Sequence, residues 1–245
     1  MRIQRFLSRA GIASRREAET LMLEGRVSVN GAPATTLGAR VDPERDVVEV
    51  DGRRIRADAA RWIAFNKPVG TLVTRADPHG GRTVYDCLRA EHAVLRYVGR
   101  LDRETEGLLL FTNDGELAHR LLHPSSGVER EYRVGLRGRA GPDVVRTVTS
   151  GVELDDGLAR ALRAGHLGDE PEGSVLQLVL SEGRKREVRR LMSAAGHSVR
   201  WLRRERFGPV RLGSLPAAAW RELTPGELAA LRRAAGGAGG DVPGA

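Results

Sequence analysis

Residues 99–115 read Gly-Arg-Leu-Asp-Arg-Glu-Thr-Glu-Gly-Leu-Leu-Leu-Phe-Thr-Asn-Asp-Gly. The run 108–112 is short, apolar and closed by Asn113-Asp114-Gly115, which predicts a fully buried strand ending in a turn. Just ahead of it Asp102 sits among Arg100, Arg103, Glu104 and Glu106, between Gly99 and Gly107. Those two glycines free the segment from ordinary backbone limits. A carboxylate in a loop beside a buried strand is placed as catalytic groups on rigid scaffolds are. The plainer reading is a polar turn between two strands.

The chain of 245 residues has room for one large domain or a small and a medium one. Residues 1–57 read as a small unit of their own. Ser14 with Glu17 three residues on predicts a capping box. Ala18, Leu21 and Met22 then form an apolar stripe, and Gly25 stops the helix. Strands are predicted at 27–29 and 47–50, each running into a tight turn, Asn30-Gly31 and Asp51-Gly52. Arg2, Arg5, Arg9, Arg15, Arg16 and Arg26 crowd the helical stretches. They either face a phosphate backbone or, interleaved with Glu17, Glu19 and Glu24, form a solvated surface.

After a short linker at 58–61, a strand-like run at 62–65 leads into Asn66-Lys67-Pro68-Val69-Gly70, where Pro68 and Gly70 force a turn. Residues 77–82 read as a loop and 85–90 as a short helix. Beyond the central motif, Leu117, Leu121 and Leu122 share one face of a helix that ends before Pro124. His119 and His123 lie four apart on it, a spacing that suits a metal pair, but no third ligand is near in sequence. Strands follow at 129–136, containing Tyr132, and at 175–180. Val188, Leu191, Met192 and Ala195 then mark the inner face of a helix ended by Gly196. From Glu182 to Arg206 nine Lys or Arg stand against three Glu, more than a solvated helix face needs. Residues 234–245 are Gly- and Ala-rich and are expected to form a disordered tail.

The net charge of +8 points to a polyanionic partner. Lys67 and Lys185 are the two lysines and every other basic side chain of that total is Arg, so the clustering weighs more than the count. No apolar run approaches the ~18 residues of a membrane span, and the arginines at the N-terminus lack the apolar core of a secretory signal. The single Cys87 excludes an internal disulfide and fits a reducing cytoplasm.

The motif Gly-Arg-Leu-Asp-x-x-Thr-x-Gly-Leu-Leu-Leu-x-Thr-Asn-Asp-Gly resembles the catalytic motif of the RsuA/RluB-type pseudouridine synthases, which isomerise uridine in ribosomal RNA. Ala-Gly-Ile-Ala-Ser-Arg-Arg-Glu-Ala-Glu with Gly-Arg-Val-x-Val-Asn-Gly resembles the small RNA-binding domain named after ribosomal protein S-four. The resemblance covers residues 1–231, and departs from the family at Ala217-Ala218-Ala219, where a Gly usually follows Leu-Pro.

The resemblance implies an α+β fold, with an RNA-binding domain at 1–57 ahead of a catalytic domain at 62–233 built on a mixed, mostly antiparallel sheet. It implies that Asp102 is the catalytic carboxylate, that Tyr132 stacks on the target base, and that Arg184 reaches Asp102. Arg2, Arg5, Arg15, Arg16, Arg26, Arg100, Lys185, Arg189 and Arg203 are the expected RNA contacts, Arg100 as a wedge or phosphate clamp. The reaction breaks a carbon–nitrogen glycosidic bond, turns the uracil and rejoins it through carbon, so no metal or other cofactor is called for. Asp102 serves either as nucleophile or by assisting proton loss at the sugar.

The implied partner is ribosomal RNA in an assembling subunit, with the large subunit favoured over the small, and the implied protein is a cytoplasmic monomer off the membrane. Two rivals are a non-catalytic ribosome assembly factor, and a glycoside-bond hydrolase with Glu104 or Glu106 as a second carboxylate.

Overall fold

The computed structural model describes residues 1–56 and 59–236; part of the linker at 58–61 and residues 237–245 of the tail lie outside them. The described chain forms two units. In the first, helix α1 (Ile3–Arg9) precedes α2 (Arg15–Leu23), which starts on the capping box of Ser14 and Glu17. Strands β1 (Val27–Val29), β2 (Ala32–Pro33), β3 (Val48–Val50) and β4 (Arg53–Ile55) make a sheet in the order β2-β1-β3-β4. Both tight turns have two successive residues at positive φ, Asn30-Gly31 and Asp51-Gly52, as two-residue hairpins of right-handed twist require. Ile3, Phe6, Leu7, Ala18 and Met22 pack with Val27 and Val48 into this unit's core.

The second unit is organised on a nine-stranded sheet. Its strands are β5 (Trp62–Lys67), β6 (Arg96–Val98), β7 (Thr105–Thr112), β8 (Arg130–Leu136), β11 (Arg163–Glu170), β12 (Gly173–Leu180), β13 (Val199–Phe207), β14 (Val210–Arg211) and β15 (Trp220–Glu222). The path runs β11-β12-β8-β13-β7-β5-β15, with β6 on β7 and β14 on β13. The β7–β13 pair is parallel and the β8–β13 pair antiparallel, so the sheet is mixed and mostly antiparallel. Helices α3 (Gly115–Leu122), α4 (Pro142–Ser150), α5 (Glu187–Ala194) and α6 (Pro225–Ala235) complete it. A separate two-stranded hairpin joins β9 (Val152–Leu154) to β10 (Gly157–Ala159).

Three expectations change. The short helix expected at 85–90 is a single 3₁₀ turn over Tyr85–Cys87, and a second one follows at Ala90–His92. The extended backbone of Leu88 parts them, while the Asp86 carboxylate accepts the Thr83 N–H and hydroxyl. Leu122 does not join the inner face of α3: it is 38% exposed while Leu117 and Leu121 are buried. Finally α6 continues to Ala235, two residues into the expected tail, because Thr224 and Glu227 cap it and Leu231 and Ala235 are buried.

Two features of the sheet place the central motif. Gly107 pairs with Arg204 across the parallel β7–β13 contact, and a Cβ there would lie 2.4 Å from the Arg204 carbonyl oxygen. Its φ of +103° also suits glycine alone. The second is Lys67, the last residue of β5, which is fully buried. Its ammonium donates to the carbonyls of Thr105 at 2.7 Å, Pro68 at 3.1 Å and Arg103 at 3.3 Å. Three N–H donors thus meet three carbonyls, two of them in the loop of Asp102. Burial pulls this ammonium down from 10.5 to about 8, with Asp102 and Glu104 opposing the shift.

Gly107→Ala is expected to lower stability by about 2–6 kcal/mol, from backbone strain and overpacking of about 1–3 kcal/mol each. Urea denaturation measures it, and a loss below about 1 kcal/mol would show that the two strands part easily. For Lys67 the sign follows from its lowered pKa. Between pH ~8 and ~10.5 the unfolded chain holds a proton that the folded chain has released, so stability rises with pH there. The stability of the wild type relative to Lys67→Met should therefore climb between pH 8 and 10; a flat difference would contradict the buried ammonium.

Candidate active site

A cavity of about 980 Å³ opens in the second unit. Six pieces of chain meet around it: the segment 72–78, the loop 99–105, Leu122 with Pro124, the start of β8, the segment 181–188, and β13 through Leu202, Arg204 and Phe207. The loop is held from below. Its Arg103 carbonyl accepts the Gly70 N–H at 2.8 Å, the Asp102 carbonyl accepts the Thr105 N–H at 3.0 Å, and Leu101 is buried beside Asp102.

Four carboxylates line the cavity, and three are occupied. Asp77 accepts the Gly81 N–H at 2.8 Å, Glu182 pairs with Arg184 at 2.6 Å, and Glu187 accepts the Arg184 N–H at 3.2 Å. Burial raises the pKa of Glu187. Asp102, half-buried, has no side-chain hydrogen bond or ion pair among the described residues. Its charge nonetheless favours the protonated forms of Lys67 and Arg189 against their burial.

The floor is built from β8 and β13. Tyr132 is 9% exposed and lies directly across from Arg204 in the strand register. Arg204 is buried, its Nε donating to the Leu108 carbonyl at 2.7 Å. Burial lowers its pKa and Tyr132 works against that shift. Arg130 spends Nη1 on the carbonyls of Val128, Ser181 and Glu182, tying the segment 181–182 to the start of β8. The guanidinium carbons of Arg130 and Arg204 lie 5.2 and 5.4 Å from the Phe207 ring centre, within cation–π range.

Of the residues singled out in sequence, the cavity gathers Asp102, Tyr132, Arg184, Arg100 and Lys185. Arg100 and Lys185 are exposed on its lining. The expected contact of Arg184 with Asp102 is not formed. Arg184 is held by Glu182 and by the carbonyls of Asp156, Gly157 and Leu158, at 3.0–3.3 Å. Arg189, five residues on in α5, has its pKa lowered by burial and by Arg186, with Glu104 and Asp102 opposing the shift. It donates to the carbonyls of Glu104 and Val199, both at 3.3 Å.

Arg203 pairs with Glu205 at 3.3 Å. In the first unit Arg2, Arg15 and Arg16 are exposed and Arg5 lies 3.5 Å from Asp114. Arg26 is bound by both oxygens of Asp51, at 2.9 and 2.7 Å, which raises its pKa.

Sequence reasoning passed over Lys67, Arg130 and Arg204. Lys67 did carry a signal, being a lysine at the end of an apolar run in a chain whose other basic residues, Lys185 apart, are Arg. No three-residue cluster able to hold a metal occurs among the described residues, where His123 instead caps a 3₁₀ turn through Ser125.

Residues 61–194 match the RNA pseudouridylate synthase family, and residues 1–47 match the S4 domain. An RNA pseudouridine synthase of Aquifex aeolicus is 43% identical over 237 residues, covering 96% of this chain and 95% of that protein. A protein of Vibrio vulnificus named ribosomal large subunit pseudouridine synthase B is 46% identical over 238 residues, 94% of this chain and 74% of the relative. A crystal structure of a pseudouridylate synthase superposes with a TM-score of 0.65 at 26% identity, covering 94% of this chain and 99% of that one. The chain, an S4 domain joined to a mixed α+β sheet domain, therefore belongs to the RNA pseudouridylate synthase family.

Proposed function

We propose that this protein converts a specific uridine of large-subunit ribosomal RNA to pseudouridine, with Asp102 as the catalytic carboxylate. The observation that carries the assignment is the contrast among the cavity carboxylates. Asp77, Glu182 and Glu187 are bonded to the protein, and Asp102 has no such partner among the described residues. A group meant to engage the sugar or base of a substrate is left unsatisfied by its own chain. The large-subunit substrate rests on the Vibrio vulnificus relative's name.

A uridine stacked in a helix is out of reach of such a cavity, so the target is flipped out or already unpaired. Tyr132 forms a face for the uracil, held by its cross-strand neighbour Arg204. Asp102 then assists departure of the base from the sugar, as nucleophile or by assisting proton loss at the sugar. The base turns within the pocket and rejoins through carbon five; the proton on that carbon leaves and N1 takes one up.

Arg189 serves as the arginine beside the loop of Asp102 in this reading, because it donates to the Glu104 carbonyl two residues past Asp102, while Arg184 is held by Glu182 and the carbonyls of residues 156–158. Arg100 and Lys185, exposed along the cavity, meet the RNA backbone, with Arg2, Arg15 and Arg16 of the S4 domain as further contacts. Hydrolysis of a glycosidic bond by two carboxylates finds no second unpartnered carboxylate lining this cavity.

Tritium release from uridine labelled at carbon five in ribosomal RNA tests the activity. Asp102→Asn should bind RNA as the wild type does and lose activity well beyond the ~10²–10⁴ of an acid–base helper. Turnover within about tenfold of wild type would remove Asp102 from the chemistry. Arg189→Ala should slow the single-turnover rate more than it weakens binding. A change confined to affinity would return Arg189 to the set of plain RNA contacts.

A further inference from the structure

We infer that Asp156, in the turn of the β9–β10 hairpin, is a positioning residue: it docks the hairpin on the basic segment 184–190 and so holds that segment against the loop of Asp102. The inference rests on the proposed role of Asp102 and adds a residue that sequence reading did not reach.

The hairpin is small, and beyond its buried Ala159 and the packing of β9 on α5 it is placed by polar contacts. Its strands are three residues each and form a sheet separate from the nine-stranded one, and an isolated two-stranded hairpin is marginal by itself. Arg190 Nη1 and Nη2 donate to the two Asp156 oxygens at 2.9 and 2.8 Å. That is the bidentate fork that fixes direction as well as distance. Arg184 adds bonds to three successive carbonyls of the same turn, those of Asp156, Gly157 and Leu158.

The other two arginines of the segment point the opposite way along it. Arg186 donates to the Glu104 carboxylate at 3.2 Å and Arg189 to the Glu104 carbonyl at 3.3 Å. Arginines 184 and 190 therefore grip the hairpin turn while 186 and 189 grip the catalytic loop, two residues past Asp102. The joint between them is tense: Arg186 sits at φ +52°, a conformation that costs a non-glycine residue energy unless its surroundings hold it. Arg190 also keeps a buried Nε with no partner while presenting both terminal nitrogens to Asp156.

Asp156 and Arg190 side chains are 46% and 28% exposed, so solvent screens the pair and its effect on global stability is small. Its effect on geometry is larger, because displacement of about 1 Å at a reacting centre can cost roughly 100-fold in rate. The competing role for the same pair is electrostatic. Asp156 would then occupy arginines that RNA phosphate otherwise binds, and its removal would tighten RNA binding.

The test compares wild type, Asp156→Ala and Asp156→Glu in the full chain. It reads single-turnover tritium release at saturating ribosomal RNA, RNA affinity at several salt concentrations, and amide hydrogen exchange across residues 184–191. The expected result for Asp156→Ala is a rate lower by roughly 10- to 100-fold, unchanged affinity and salt slope, and faster exchange in the segment. Asp156→Glu, which keeps the charge, should recover part of the rate. An unchanged rate with tighter, more salt-dependent binding would overturn the inference in favour of competition with phosphate. An unchanged rate, affinity and exchange would reduce Asp156 to a surface ion pair. Absence of tritium release from the wild type itself would instead overturn the proposed activity, while exchange would still report whether Asp156 docks the hairpin.

Discussion

A lysine ammonium taken out of water and given three carbonyls is the contact on which the loop of Asp102 depends. Lys67 reaches from the end of β5 to the carbonyls of residues 68, 103 and 105. Burying an ammonium is costly unless its donors are all met, and here the number of donors equals the number of acceptors. The consequence is a loop that cannot shift without stranding the charge. The three N–H bonds of an ammonium diverge from a single nitrogen on a flexible stem, which suits three carbonyls gathered around one point. That accounts for a lysine at this place in a chain whose other basic residues, Lys185 apart, are arginine.

The arginines divide by what satisfies them. Arg130 and Arg204 are buried under the cavity and spend donors on backbone carbonyls; they are scaffold, and RNA cannot recruit them without breaking the floor. Arg26, Arg184, Arg190 and Arg206 are claimed by carboxylates. Arg100 and Lys185 remain exposed along the cavity, and Arg15 and Arg16 on the first turn of α2. A net charge of +8 thus overstates what is available to a polyanion and understates how the charge is used. The effective RNA-facing charge is local, confined to side chains whose partners the fold has not already supplied.

How much of this was legible follows from where apolar pattern and chemistry agree. The capping box at Ser14, the glycine turns at 30–31 and 51–52 and the strand of residues 108–112 follow short-range rules that the structure obeys. Strand β13 was not read, because Arg204 occupies an inward position between Leu202 and Phe207, and a buried arginine erases the period of two. The β9–β10 hairpin had a local signal in Asp156-Gly157, but its docking had none, since Asp156 and its arginines lie about 30 residues apart and local propensity carries no trace of that pairing. The place of Arg189 beside the loop of Asp102 has the same origin. Along the basic run 184–190 residue type cannot say which guanidinium reaches the loop: Arg184 is taken by the hairpin carbonyls, while Arg189 donates to the Glu104 carbonyl.

One irregularity in the sheet makes the two faces of the site compatible. In a regular strand Arg204 and Arg206 would share a face, being two residues apart. The register between β8 and β13 shifts between them, so that Arg204 stands across from Tyr132 while Arg206 stands across from Glu131. Tyr132 and Glu131 are sequence neighbours on β8 and point to opposite faces. The bulge therefore sends one arginine under the cavity, and the other to Glu131 and Glu129, each at 2.9 Å on the far side. Without that extra residue both guanidinium groups would lie on one face, and either Tyr132 would lose its neighbour or the glutamates would lose their counter-ion. Bulges re-aim side chains at sites of this kind, and here the re-aiming lets a single strand floor the cavity and neutralise the opposite face at once.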